Sequence, residues 1–390
     1  MFDVQRHIMK ILHTSDWHLG RLFHQQSLLE QQIELLQQIV EIIDQQAVDA
    51  VIIAGDIYDR SVPPSAAISA FNDFIEEVAV SRQKTIIAIS GNHDGAERLG
   101  FATSLLKQSN LHLVTELPQA LEPIVLNDSA TTIDIWCVPF HDPLQVNNWL
   151  DTDCKEFNTA HQMIVDRINA ERNPAHLNMI VSHCYLDGAS ESESERPLSI
   201  GGADRVDWQL FKDFDYAALG HLHQPQHKGM EHIRYSGSLM KYSFSEVNQS
   251  KSITLLDVNE KGVQNIQQIS LKPSRDMRVL KGTLAELIAQ AEHDPQRNDF
   301  IQAILTDKQA ILYPMAKLRA HYPNLMQLRK EQLEHIRKAS DTSGQEQLKK
   351  ADSELIHDFF TEVYGTPLTP DQKASIDQVI QQIEQEESES

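Results

Sequence analysis

Side chains able to hold a cation or move a proton fall at short, ordered spacings along the 390-residue chain. They are Asp16-Trp17-His18, Gly55-Asp56, Gly91-Asn92-His93-Asp94, Ser182-His183 and Gly220-His221-Leu222-His223. Asp16 and His18 alternate along an extended segment, so both point to one side and offer a cation one oxygen and one nitrogen. His221 and His223 repeat the pattern. Asp56 has two oxygens and can bridge two cations, while the Asn92 amide oxygen and His183 complete a second centre. Mixed oxygen and imidazole ligation suits Mn or Fe and tolerates Zn, whereas Mg rarely takes so many histidines. Each piece alone is a common capped loop or a satisfied structural histidine; their joint order is what points to a site.

The elements before these groups must bring them together. Lys10 to Thr14, Ala50 to Ala54, Thr85 to Ile89, Asp134 to Val138, Asn178 to Ser182, Tyr216 to Leu219, Ile233 to Tyr235 and Ile253 to Val258 read as strands. Leu28 to Gln46 reads as a helix with the stripe Leu29, Ile33, Leu36, Val40 and Ile43. Pro63-Pro64-Ser65 opens a second, with the face Ile68, Phe71, Ile75 and Val78. Strands alternating with helices predict an α/β layered domain, in which ligands bind beyond the carboxyl ends of the strands. All five groups sit at such ends.

Composition sets outer bounds. A net charge of −22 repels a polyanion unless positive charge is local or supplied by a partner, which excludes a simple basic-arm DNA binder. Three cysteines exclude a disulfide framework and a four-thiolate zinc site, and fit a reducing cytoplasm. No apolar run reaches membrane-span length, so no membrane association is expected. Met1 to Leu12 lacks the marks of a secretory signal, and Met9 is a second possible start. Walker A, G-x-G-x-x-G and H-E-x-x-H are absent, which excludes ATP hydrolysis, Rossmann-type dinucleotide binding and zincin chemistry.

The ordered series D-x-H, G-D, G-N-H-D, H and G-H-x-H resembles the calcineurin-like metallophosphoesterase superfamily. Within it the chain is similar to the nuclease branch that works with an SMC-like ATPase. That likeness rests on Thr14 to Gly20, on Ser192 to Arg196 with Ile200-Gly201-Gly202, and on Ala218 to His223. It also rests on Tyr235-Ser236-Gly237-Ser238, Tyr242 to Glu246, Pro314-Met315 and Lys317-Leu318-Arg319. The resemblance implies an α/β/β/α metallophosphoesterase sandwich with a smaller α+β capping domain and C-terminal helices.

It further implies one metal on Asp16, His18, Asp56 and His223 and a second on Asp56, Asn92, His183 and His221, with Mn the preferred ion. His93 is then free to protonate the leaving oxygen or stabilise charge, and Asp59, by analogy with related phosphatases, orients it. The implied partners are DNA, as single strands, duplex ends and hairpins, and the ATPase, within a heterotetramer built on a homodimer. The alternatives are a phosphomonoesterase or protein phosphatase, and a scaffold with a vestigial site. Ser61 stands where phosphatases have glycine and Asp94 where they prefer Glu, while a complete ligand set argues against decay.

The expected domains are a nuclease domain over 9–270, a capping domain for DNA recognition over 271–328, and a charged linker over 329–353. Partner-binding helices over 354–384 and an acidic tail over 385–390 follow. Lys317 to Lys350 carries a local excess of positive charge. Ser190 to Arg196 is expected to be an exposed loop. His24, His141, His161 and His227 lie outside the motif series, and Cys184 reads as a buried thiol.

Overall fold

Short runs of β-branched and aliphatic residues form the strands of the first unit. In chain order these are β1 (Met9–Thr14), β2 (Ala50–Ile53), β3 (Thr85–Ile89), β4 (Leu111–Val114), β5 (Ile124–Asn127) and β6 (Thr132–Val138). There follow β7 (Leu177–His183), β8 (Tyr216–Gly220), β9 (Gln226–Lys228), β10 (Met230–Tyr235), β11 (Ser252–Asn259) and β12 (Gly262–Ser270). The computed structural model describes residues 8–101, 103–195, 204–309, 311–331, 368–370 and 372–375.

The strands make two six-stranded sheets, ordered β12-β11-β1-β2-β3-β4 and β9-β10-β8-β7-β6-β5. β1 to β4 are mutually parallel, as are β6, β7, β8 and β10, and antiparallel strands lie outside each set. Period-two alternation gives each central strand two buried faces. Ile11, Ile52, Ile87 and Ile89 of one sheet pack with Ile135, Cys137, Met179, Val181 and Ala218 of the other, which is the inter-sheet core. On its other face the second sheet packs Trp136, Val138, Ile180 and Leu219 with Val146 of α3 (Pro143–Leu150) and Ile164 and Ile168 of α4 (Phe157–Glu171). Leu12, Val51, Ile53 and Ile86 are buried on the outer face of the first sheet. The apolar faces of α1 (Leu29–Gln46) and α2 (Ser65–Ile75) take no part in the inter-sheet core and lie outside it. The result is the expected α/β/β/α sandwich.

Both helices bury part of the expected face, Leu36 and Ile43 in α1 and Phe71 in α2, but each is rotated so that another member of its stripe is exposed. In α1 the buried residues are Gln31, Gln32, Leu35, Leu36, Ile39 and Ile43, while Ile33 is 37% exposed. Gln32 is drawn inward by main-chain groups around Trp17 and His18, which turns the helix away from its most apolar stripe. In α2 the buried set is Ala67, Ala70, Phe71 and Phe74, and Ile68 is 49% exposed. Trp17 anchors this face, edge-on to Phe74 at 4.9 Å and to Phe71 at 6.0 Å. Beyond Ile75 the chain continues as a π-helical stretch, Glu76–Ser81, in which Val78 is buried as expected.

A second compact unit begins at Met277. Its strands β13 (Met277–Gly282), β14 (Phe300–Leu305) and β15 (Leu325–Lys330) form a parallel three-stranded sheet. Helices α5 (Leu284–Ala291) and α6 (Pro314–Arg319) make the crossovers, and Leu280, Leu287, Ile301, Ala303, Leu318 and Tyr322 form the core. Thr283 and Glu286 start α5 with a reciprocal capping box. Lys272, expected at the start of the capping domain, belongs instead to the first unit and is tied to Gln38 there at 2.7 and 3.2 Å. The expected helices over 354–384, the acidic tail, almost all of the charged segment and the Ile200-Gly201-Gly202 motif lie outside the described residues, apart from 368–370 and 372–375. Among the described residues no helix is long and apolar enough to cross a membrane.

Candidate metal centre

The loops after β1, β2, β3, β7 and β8 meet at one edge of the sandwich. The first two are zipped by main-chain hydrogen bonds: Asp16 N to Gly55 O at 3.1 Å, His18 N to Asp56 O at 2.9 Å and Leu19 N to Ile57 O at 2.9 Å. This pairing holds Asp16, His18 and Asp56 at φ of 53°, 45° and 52°, and His221 stands at 106°. Left-handed backbone at four non-glycine residues costs energy and persists only where surrounding structure enforces it. Two motif glycines owe their identity to close approach. A Cβ on Gly91 would lie 2.1 Å from Asp56 Oδ1, and one on Gly220 1.9 Å from the Ala54 carbonyl.

The candidate ligands converge. His18 Nε2 lies 3.1 Å from His223 Nε2 and 3.6 Å from Asp56 Oδ2, which is in turn 3.5 Å from His183 Nε2. Asn92 Oδ1 is 3.0 Å from His183 Nε2 and 3.2 Å from His221 Nδ1. Ligand atoms of Asp16, His18 and His223 lie within 4.8 Å of one another, as do those of Asp16, Asp56 and His183. Thus the seven residues singled out from spacing stand in one cluster, with Asp56 between its halves. All but Asn92, which is half-buried, are buried.

Burial alone would raise the Asp56 carboxyl, yet His183 and His18 beside it hold it well below the ordinary range. Burial pushes Asp16 up to about 6. His183, though buried, is raised to about 9 by the Asp56 and Asp16 carboxylates. Burial drives His18 well below its usual value and His221 down to about 3, so both favour the neutral imidazole whose lone pair a metal needs. Neither carboxylate is paired to Lys or Arg among the described residues, and buried His18 Nδ1 has no hydrogen-bond partner there. A donor set of four imidazoles, two carboxylates and an amide oxygen, packed with nitrogen facing nitrogen, fits divalent cations.

His93 sits beside this cluster, its ring 4.7 Å from that of His18 and its main-chain N–H donating to Asp56 Oδ1 at 2.8 Å. The expected Asp59 carboxylate support differs in the structure: His93 Nδ1 is 2.8 Å from the Asp59 main-chain carbonyl. The carboxylate lies instead 3.5 Å from Arg21 Nη1 and 3.9 Å from His18 Nδ1. The G-D-x-x-D turn brings the carbonyl of its last residue to the ring, and the side chain is left to Arg21. Asp94 accepts from Ile57 N, Tyr58 N and Gly91 N, locking the second and third loops together.

Several contributing residues make contacts that spacing alone does not reveal, although Ser194, Glu195, Tyr242 and Glu246 lie in segments that carry the family likeness. Gln32 joins α1 to the first loop, donating to Trp17 O at 2.9 Å and His18 O at 2.8 Å and accepting from Gly20 N at 3.0 Å. Arg21 lies over the Tyr242 ring at 4.9 Å. The Ser190 to Arg196 stretch is not a free loop as far as it is described. Ser194 Oγ is 2.6 Å from His223 Nδ1, and Glu195 Oε1 accepts from His223 N at 2.7 Å. Buried Glu246 and Lys251 pair at 2.6 Å, and Lys251 Nζ donates to His223 O at 2.7 Å. The alternating Ser and Glu of this loop read equally well as solvated sequence. His24 and His227 are exposed, whereas His141, His161 and Cys184 are buried.

A family model for calcineurin-like phosphoesterases matches residues 9–225, and the chain belongs to that family. It is a metal-dependent phosphoesterase. Residues 273–364 match a second model, described as the type 5 capsule protein repressor C-terminal domain. The chain is 34% identical over 353 residues to the SbcD subunit of the SbcCD nuclease of Staphylococcus epidermidis, across 90% of this chain and 92% of that one. Among solved structures it is similar to TT1561 of Thermus thermophilus, with TM-score 0.41 and 12% identity over 68% of this chain and 100% of that one. It is also similar to a dimetal phosphatase from Danio rerio, with TM-score 0.40 and 12% identity over 68% of this chain and 99% of that one.

Proposed function

We propose that this chain is a Mn-dependent DNA exonuclease and endonuclease, the nuclease subunit of an SbcCD-type complex. It would process DNA ends and hairpins in recombination, repair and replication in the cytoplasm. The observation that carries the reading is the convergence of Asp16, His18, Asp56, Asn92, His183, His221 and His223 in a chain similar along most of its length to an SbcCD nuclease subunit. In this reading Asp16, His18, Asp56 and His223 hold one cation and Asp56, Asn92, His183 and His221 the other. Two divalent cations supply Lewis acidity at the phosphoryl group and a nucleophile at neutral pH.

The protein's own groups set the remaining chemistry. With Nδ1–H of His93 donating to the Asp59 carbonyl, Nε2 is left facing the centre, and in the imidazolium form it would hand its proton to the leaving oxygen and return to the neutral Nδ1–H tautomer. Arg21, pinned by Tyr242 and by its bond to Ser194 O at 3.0 Å, places fixed positive charge beside the centre without a flexible search. The net charge of −22 opposes DNA binding by the isolated chain. An SbcC-type ATPase would supply the missing affinity, in a heterotetramer built on a homodimer. The unit from Met277 would serve as the capping domain, with the C-terminal segment 354–384 attaching to the ATPase.

Assay of the purified chain with Mn, Mg or Zn tests this, on single-stranded, duplex and hairpin DNA, with and without SbcC and ATP. Mn-dependent DNA cleavage is expected, with duplex-end cutting dependent on SbcC and ATP. Hydrolysis of an aryl monophosphate with no DNA cleavage under any of these conditions would replace the nuclease reading with the phosphatase one.

A further inference from the structure

We propose that Ser194 and Glu246 are positioning residues that hold His223 in the tautomer able to bind metal, and that they support one cation position and not the other. The inference rests on the metal-centre reading above. His223 presents Nε2 toward His18, which commits that nitrogen's lone pair to the centre and leaves the ring proton on Nδ1. Nδ1 lies 2.6 Å from Ser194 Oγ, so Nδ1–H donates to the hydroxyl, and the hydroxyl donates onward to Glu246 Oε1. Glu246 is itself immobilised: Lys251 Nζ is 2.6 Å from Oε2, and Tyr242 N donates to the same oxygen at 3.3 Å.

Lys251 closes the ring by donating to the His223 carbonyl at 2.7 Å, a carbonyl that also accepts from Ser238 N at 3.1 Å. Every polar group of His223 is thereby fixed, and each partner is fixed in turn. Glu246 and Lys251 are 0% and 4% exposed, so the relay works where water does not compete. A carboxylate at the end of such a chain also makes the metal-facing nitrogen a better donor.

The other half of the centre is built differently. His183 Nδ1 donates at 2.8 Å to the neutral Ala54 carbonyl, and His221 Nδ1 faces the Asn92 amide. No charged relay stands behind these rings among the described residues. The Ser194–Glu246 relay therefore tunes the position formed with His223, and because Ser194 rides on the 187–195 loop, that position depends on the loop being in place.

The test is Mn binding by calorimetry to the full-length chain, comparing wild type with Ser194→Ala, Ser194→Thr, Glu246→Gln and His223→Ala. Ser194→Ala and Glu246→Gln should weaken one of two sites by about 10- to 100-fold, the usual scale for losing such a partner. The second site should be unchanged, and Ser194→Thr, which keeps the hydroxyl, should restore binding. In the metal-free chain, imidazole 15N shifts should show neutral His223 as the Nδ1–H tautomer in wild type and as a mixture of tautomers in Ser194→Ala. Ser194 is half-buried on a loop, so its variant tests the idea even if Glu246→Gln does not fold. If His223→Ala loses one site while Ser194→Ala and Glu246→Gln keep both at wild-type affinity, the relay is overturned and the metal centre stands. Equal weakening of both sites also overturns it. A wild-type chain that binds no Mn removes the centre itself and this inference with it.

Discussion

His93 and Asp59 are joined through the backbone: the His93 ring nitrogen Nδ1 meets the Asp59 carbonyl oxygen at 2.8 Å, and the Asp59 carboxylate turns away toward Arg21. A main-chain acceptor survives substitution of its own side chain. Asp59→Asn should therefore cost less activity than His93→Ala. The latter should lower turnover by about 10²-fold or more, the scale of general acid–base catalysis, with metal content unchanged. Single-turnover DNA cleavage and metal analysis of both variants check this. Equal losses would show that the carboxylate acts on His93 after all.

Asp56→Asn should abolish hydrolysis while leaving the fold in place. The new amide keeps an oxygen to accept the His93 N–H, now 2.8 Å from Oδ1, so the loop contact is retained. What disappears is negative charge between His18 and His183, where two cations would share one side chain. A melting curve near wild type with Mn-dependent cleavage undetectable is the expected pair of results. Near-normal cleavage would remove the shared-carboxylate assignment.

Gln32→Leu should destabilise the first unit by about 1 to 3 kcal/mol, because the Trp17 and His18 carbonyls and the Gly20 N–H lose a buried partner. Thermal melting of the full chain measures the loss. Activity should fall more steeply than stability, since the loop released is the one that presents His18.

The candidate ligand groups were legible because each lies at the end of a strand, and all but Ser182-His183 sit on turns that require glycine or left-handed backbone, constraints that leave short fixed spacings in sequence. The strand alternation was legible for the same reason: a side chain every second residue has to face one of two cores. The helix faces were legible only in part: Leu36, Ile43, Phe71 and Val78 are buried as the stripes require, but Gln32 is buried by hydrogen bonds to loop carbonyls that no periodicity encodes. Ser194 and Glu246 lie in segments that carry the family likeness, but their link to His223, like that of Lys251, was not legible, since 28 to 29 residues separate His223 from Ser194 and Lys251. Only the folded chain brings them together. Strands β4, β5, β9 and β12 were not legible either; β12 is an edge strand exposed on much of its length and carries little apolar signal.

Mn should raise the melting temperature of the chain, and the effect should shrink on acidification. Ligand that binds only the folded state stabilises by mass action, about 2.7 kcal/mol at a hundred times Kd. Burial pushes the Asp16 carboxyl up to about 6, and a protonated carboxyl no longer coordinates, so affinity falls as the pH drops through that value. Melting curves with and without Mn, compared between about pH 8 and about pH 5.5, bracket it. An Mn-induced shift that is the same at both would show that Asp16 does not hold the ion.

Removal of the chain from Ser353 onward should separate catalysis from assembly. Leu355, Ile356, Phe359, Phe360 and Val363 recur at three- and four-residue spacings, and Ile376, Val379, Ile380 and Ile383 make a second such stripe beyond Gly365, Pro367 and Pro370. Apolar stripes of this kind are buried against something. The catalytic unit ends at Asp276 with its own inter-sheet core, so the stripes are not needed to complete it. If they dock into a groove on an SbcC-type ATPase as amphipathic helices, the truncated chain keeps Mn-dependent cleavage of single-stranded DNA. It then loses co-purification with the ATPase and ATP-dependent cutting of duplex ends. Should the truncated chain bind the ATPase at undiminished affinity, the docking site lies elsewhere. Loss of all activity together with a collapsed melting transition would show instead that the stripes fold back onto the chain itself.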